Sequence, residues 1–167
     1  MTATSKLPKP PAEPPPIHST DGLAPKFRDK LTELCLALTN VGWMPILRET
    51  LRTDDRAAFL YGFGREYDDG RGIVTNAPNG LTTWHHFGLA ADVGDRRYEP
   101  GQEPGHFWAD LERCAINLGL TSGAEWKFCD KPHVQWGAPM RASPSPEAAE
   151  LLASGGLAAV WEAVHAT

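Results

Sequence analysis

The sequence predicts an α+β domain: a small, mainly antiparallel sheet flanked by helices. Three observations carry this. Segments with apolar residues at 3.6-residue spacing alternate with short β-type runs. Long loops rich in Gly, Pro, Asn and Asp separate them, without the regular crossover units of a parallel sheet. No Gly-rich phosphate loop is present: "GFGRE" at 62–66 has neither GxGxxG nor a Walker lysine, which removes nucleotide binding.

Six of the first 16 residues are proline, so residues 1–20 are expected to form a flexible, extended arm. Residues 21–167 are expected to form a single domain, with a motif core at 42–137 and a helical tail at 144–165. The first helix falls in "APKFRDKLTELCLALTNVGW". Phe27, Leu31, Leu34 and Leu38 share one face, Pro25 suits the start, and Gly42 lies just past the end. "MPILRET" reads as a strand. "DDRAAFLYGFGRE" opens with two acids that favour a helix N-terminus. "GIVTNA" reads as a short strand, "PNG" as a turn and "LAADV" as another strand. "GHFWADLERCAINLGL" places Phe107, Leu111, Cys114 and Leu118 at helical spacing before Gly119. "HVQW" is a strand stopped by Gly137. "SPSPEAAELLAS" supplies a cap at Ser145, a first-turn Pro146 and an early acid, Glu147; "GGLAAVWEAV" is a further short helix.

The formal net charge of −5 argues against nucleic acid or anionic membrane as a partner. No apolar run approaches the roughly 18–20 residues of a membrane span. "MTATSKLPKPPAEPPP" lacks the apolar core of a secretory signal, so synthesis without export is expected. The three cysteines match no CxxC knuckle. Cys35 and Cys114 read as core filler, and Cys129 as a strand-facing packing residue.

Chemistry concentrates in "TTWHHFGLAADVGD" (82–95) and "EWKFCDKPHVQW" (125–136). Strand alternation puts Leu89, Ala91 and Val93 on one face and Ala90 and Asp92 on the other. Gly88 permits a sharp turn that folds His85 back toward Asp92. Pro132 favours a turn into a strand, bringing Asp130 near His133. His133 and Gln135 then share one face, and Val134 and Trp136 the other. Three N/O ligands with a fourth position open to water is the plan of a catalytic zinc site. This reading makes His85, Asp92 and His133 ligands and Asp130 the base. The reverse assignment of the two aspartates is less attractive, because rigid elements hold ligands better. Taken singly, each motif also fits a surface histidine pair, a backbone-satisfying aspartate or a chance Asp-x-x-His.

Thr83-x-His85-x-x-Gly88-x-Ala90-x-Asp92 resembles the signature of the zinc D-Ala-D-Ala carboxypeptidases and L-Ala-D-Glu endopeptidases that cut peptidoglycan stem peptides. "EWKFCDKPHVQW" is similar to their second signature. "RETLRTDDRAAFLYGFGRE" and "GIVTNAPNG" resemble segments of the endolysin-like branch. The resemblance runs from about Gly42 to Gly137. It implies one zinc on His85, Asp92 and His133, Asp130 as base, and the fold shared with hedgehog signalling domains. It also implies a substrate-facing role for Arg52, against which stands a surface ion pair with Asp54 or Asp55. Two departures are visible. Arg56-Ala57 stands where the branch usually carries Gln, and His86 follows His85 as a rival ligand.

The resemblance thus implies a zinc peptidase of peptidoglycan stem peptides that acts on the cell wall after release from the cell. The leading bond is L-Ala-D-Glu, with D-Ala-D-Ala carboxypeptidase second. The rivals from other classes are a non-catalytic zinc-containing binding module and a cysteine hydrolase using Cys129.

Overall fold

The computed structural model describes residues 7–137 and 141–167. Residues 1–6 of the proline-rich arm lie outside the described residues. Four helices and four strands are present among them: α1 (Pro25–Asn40), β1 (Pro45–Glu49), α2 (Asp54–Gly62), β2 (Ala90–Asp95), α3 (Gly105–Asn117), β3 (Thr121–Ser122), β4 (His133–Gln135) and α4 (Pro146–Ala163). One-turn 3-10 helices occupy Gly80–Thr82, Trp84–Phe87 and Gly123–Glu125. The strands form one antiparallel sheet in the order β1-β2-β4-β3, the α+β architecture expected.

The core lies on one face of this sheet. α1 buries Phe27, Leu31, Leu34 and Leu38, the stripe its spacing predicts. α3 buries Phe107, Leu111 and Cys114. Both pack with Ala91, Val93 and Val134 from the sheet in a single apolar cluster. α4 closes the cluster through Val160, and its two halves meet at Gly156, whose φ of 69° breaks the helix where the sequence divides it. Two indole N–H groups fasten this tail: Trp161 donates to the Phe87 carbonyl at 2.7 Å and Trp136 to the Val164 carbonyl at 2.8 Å.

Three local differences from the sequence reading have physical reasons. "GIVTNA" is not a strand. Its backbone bonds go to side chains instead: Arg65 donates to the Thr75 carbonyl, and Val74 packs on a small cluster of Phe59, Leu60 and Phe63. α2 stops at Gly62, after which Phe63 bridges to Tyr67. Cys129 is exposed in the loop before β4, not packed on a strand.

The proline-rich segment runs extended from residue 7, with no buried residue before Gly22. Its carbonyls take donors from the body. Ile17 accepts from the Thr50 N–H at 2.8 Å, Ser19 from the Thr50 hydroxyl at 2.6 Å, and Pro8 from the Asp68 N–H at 3.0 Å.

Candidate metal centre

The opposite face of the sheet carries the polar side chains. Asp92 on β2 lies directly across from His133 on β4, and Ala90 from Gln135. Directly opposed residues in an antiparallel pair project to the same face, so register alone brings a carboxylate beside an imidazole. On the other side, β1 bulges between Leu47 and Glu49, which places Glu49 across from Asp92. Without the extra residue Arg48 would hold that position. The bulge re-aims the strand and completes a row Glu49, Asp92, His133 across three strands.

His85 arrives from outside the sheet. It sits in the 3-10 turn Trp84–Phe87, which ends at Gly88 in the left-handed region with φ 66°. A side chain there would also meet the Gly22 carbonyl, so glycine is required twice over. The turn returns the chain into β2 and folds His85 over Asp92, as expected.

Three atoms converge. His85 Nε2 lies 3.2 Å from His133 Nδ1 and 3.4 Å from Asp92 Oδ1, and His133 Nδ1 lies 3.6 Å from the same oxygen. The remaining nitrogen of each ring is committed outward. His85 Nδ1–H donates to the Thr50 carbonyl at 2.8 Å. His133 Nε2–H donates to Gln135 Oε1 at 3.0 Å, and the Gln135 amide is itself oriented by donating to the Arg141 carbonyl at 2.9 Å. Three lone-pair-bearing atoms therefore face one another, and Asp92 Oδ1 is buried with no hydrogen-bond partner among the described residues. Such an arrangement repels itself unless a cation, a proton or a metal, lies among the three.

The donor set fits zinc. Two nitrogens and an oxygen at bond lengths of about 2.0–2.1 Å, tetrahedrally arranged, are separated by roughly 3.3 Å. The observed triangle has edges of 3.2–3.6 Å. The outward N–H bonds supply the orienting partners that metal-ligating histidines require. His86 stands outside the triangle: its Nδ1–H donates to the Arg52 carbonyl at 3.0 Å.

The electrostatics point the same way. Burial opposes ionisation of Asp92, but His85, His133 and the Arg52 guanidinium together hold its carboxyl well below the usual carboxylate range. Burial also opposes charge on His133, yet Asp92 and Asp130 raise its pKa above the ordinary value. Asp130 lies at the rim, with Oδ2 4.0 Å from His133 Nδ1. Burial, then the charge of Asp92, push its pKa above the ordinary carboxylate range.

Arg52 reaches Asp92 Oδ2 at 3.5 Å. The expected alternative, a surface pair with Asp54 or Asp55, is not what the structure holds. Arg52 is buried and forms a forked pair with Glu49, at 3.0 Å from Nε and 2.8 Å from Nη2. Arg56 joins the same carboxylate at 2.6 Å from Nε. Sequence reasoning noted Arg56 only as a departure from the endolysin-like pattern and did not name Glu49, because the β1 bulge that makes Glu49 face Asp92 leaves no local signature.

Two cavities meet at this site. One, of about 500 Å³, is lined by Arg52, Arg56, Arg71, Asp92 and Asp130. The other, of about 600 Å³, is lined by His85, His133, Arg52, Asp130, Trp126 and Phe128. Arg52, Thr75 and Asp130 belong to both, so the triangle lies between two open regions.

No protein-family model matches the sequence. Among solved structures, the chain is similar to the LdcB LD-carboxypeptidase, described for its peptidoglycan recognition. Identity is 16%, the TM-score is 0.52, and the match covers 95% of this chain and 78% of that one. It is also similar to the Serratia marcescens L-Ala D-Glu endopeptidase ChiX at 20% identity and a TM-score of 0.43, covering 72% of this chain and 90% of that one. The first of these likenesses shows a shared fold.

Proposed function

We propose that this chain is a zinc-dependent peptidase of peptidoglycan stem peptides, and that it cuts the L-alanyl-D-glutamate bond. The observation that carries the metal assignment is the inward-facing triangle of His85, Asp92 and His133, with its unpartnered Asp92 oxygen. The two signatures around these residues resemble those of peptidoglycan peptidases. The fold shared with a carboxypeptidase described for peptidoglycan recognition supports the same substrate class. Its place of action is accordingly the cell wall. No helix of the described residues is long and apolar enough to cross a membrane.

Zinc held by the triangle would supply a Lewis acid that polarises an amide carbonyl and lowers the pKa of water toward about 7. The chain's own residues do the rest. Asp130 at the rim takes a proton from the attacking water and returns it to the leaving amine nitrogen. Arg52, oriented by Glu49, presents a fixed positive charge to the carbonyl oxygen as negative charge develops there.

The choice of an internal bond rests on the two cavities. Space continues on both sides of the triangle, which accommodates peptide on both sides of a scissile amide. A D-Ala-D-Ala carboxypeptidase needs room for one terminal residue only on its leaving side. Mass spectrometry of digested, purified peptidoglycan separates the two readings. Stem fragments beginning at Glu are expected; free D-alanine as the sole product would contradict the bond assignment. Asp130→Ala is expected to keep zinc and lose roughly 10²–10⁴-fold in turnover, while His133→Ala loses both.

A further inference from the structure

The cavity on the Asp92 side contains a carboxylate that belongs to neither the triangle nor the Glu49 pair. Glu13, from the proline-rich arm, places Oε1 at 3.1 Å from Arg56 Nη1 and Oε2 at 3.2 Å from Arg71 Nη2. The neighbouring Pro14 carbonyl accepts from the same Arg56 Nη1 at 2.6 Å. Among the described residues, Arg56 Nη1 has no other partner.

Both arginines are held in place without the arm. Arg56 Nε is anchored on Glu49 and its side chain is 9% exposed. Arg71 lies over the Phe63 ring, 4.0 Å from its centroid, and pairs with Asp69 at 2.8 Å. The two guanidiniums form a preorganised fork that already receives one carboxylate, close to Arg52 and Asp130 in a shared cavity.

The arm is held more weakly than the fork. No residue from 7 to 20 is buried, and it pairs with no strand. The Glu13 and Arg71 side chains are each 40% exposed, where ion pairs contribute little. A tethered carboxylate competes at an effective concentration set by its tether, but it remains displaceable.

We propose that Arg56 and Arg71 form a carboxylate subsite for substrate, and that Glu13 of the N-terminal arm occupies it as an intramolecular competitor. The ligand class is a peptide bearing a free carboxylate close to the bond that is cut. This rests on the reading of the two cavities as the substrate cleft. Arm and substrate then exclude each other from the fork, and an enzyme with a neutral residue at position 13 binds acidic substrate better.

The test measures binding, not turnover. The full chain carrying Asp130→Ala is titrated by calorimetry with N-acetyl-L-Ala-D-Glu and with its diamide. Adding Glu13→Gln is expected to tighten the acidic peptide roughly three- to tenfold, the range of two weak ion pairs, one exposed and one half-buried, and to leave the diamide unchanged. Arg71→Met is expected to weaken the acidic peptide alone. Equal affinities with and without Glu13→Gln, an equal gain for the diamide, or no binding of the acidic peptide to any variant would overturn the proposal. Failure of the wild-type chain to digest peptidoglycan would instead strike the functional reading and leave this comparison standing.

Discussion

Replacing Glu49 by alanine removes the carboxylate that holds Arg52 and Arg56 together beneath the candidate metal centre. Both arginine side chains are 9% exposed, and the Glu49 side chain is 6% exposed. Removing one partner from a buried ion pair costs about 3–5 kcal/mol, because a desolvated charge is left without compensation. Arg56 keeps the Pro14 carbonyl and Glu13, and Arg52 keeps Asp92, so the lower half of that range is expected. For a domain of this size each kcal/mol shifts the melting temperature by roughly 2–4 °C. Glu49→Ala should therefore lower it by about 6–16 °C, read by circular dichroism in excess zinc. The triple variant Glu49→Leu, Arg52→Met, Arg56→Met should recover most of that loss, since no buried charge remains, yet stay inactive. A fall of less than about 2 °C in the single variant would show that water reaches the arginines and would refute the network argument.

Gln135→Leu should weaken zinc roughly 10–100-fold, because His133 Nε2–H loses the acceptor that fixes its tautomer; competition with a fluorescent chelator measures this, and unchanged affinity would remove Gln135 from the site. Asp95→Asn probes a second buried carboxylate, whose pKa is held far below the usual range by hydrogen bonds from Arg97, against burial and with help from the Met44 N–H. Because the folded pKa is depressed, the stabilisation is present above the unfolded value of about 3.9 and lost as pH falls through the folded value. The gap in melting temperature between wild type and Asp95→Asn should be widest above about pH 5 and narrow steadily below about pH 4; a gap independent of pH would contradict this.

What the sequence disclosed depended on the range of the forces involved. The stripe on α1 and the row of Phe107, Leu111 and Cys114 on α3 were legible because helix periodicity is local. The same holds for the fold of His85 back toward Asp92 at Gly88 and for the approach of Asp130 to His133 before β4, whereas the pairing of Asp92 with His133 is set by the β2–β4 register. "GIVTNA" misled because β-propensity is realised only beside a strand edge, and its carbonyl found the Arg65 side chain instead. Glu49 stayed hidden because a bulge is a property of paired strands, not of one strand's sequence. Gln135 was assigned to the His133 face, but its role as the acceptor that sets the ring tautomer required the coordinates. Glu13 lies 43 residues before Arg56, a separation no periodicity reports.

The central claim is that His85, Asp92 and His133 together hold one zinc ion. Metal analysis of the purified chain, after equilibration with zinc and removal of excess, tests it most directly. About one equivalent per chain is expected in the wild type, in His86→Ala and in Asp130→Ala, and none in His85→Ala, Asp92→Ala or His133→Ala. Zinc retained in those three ligand variants, or lost on replacing His86, would contradict the account.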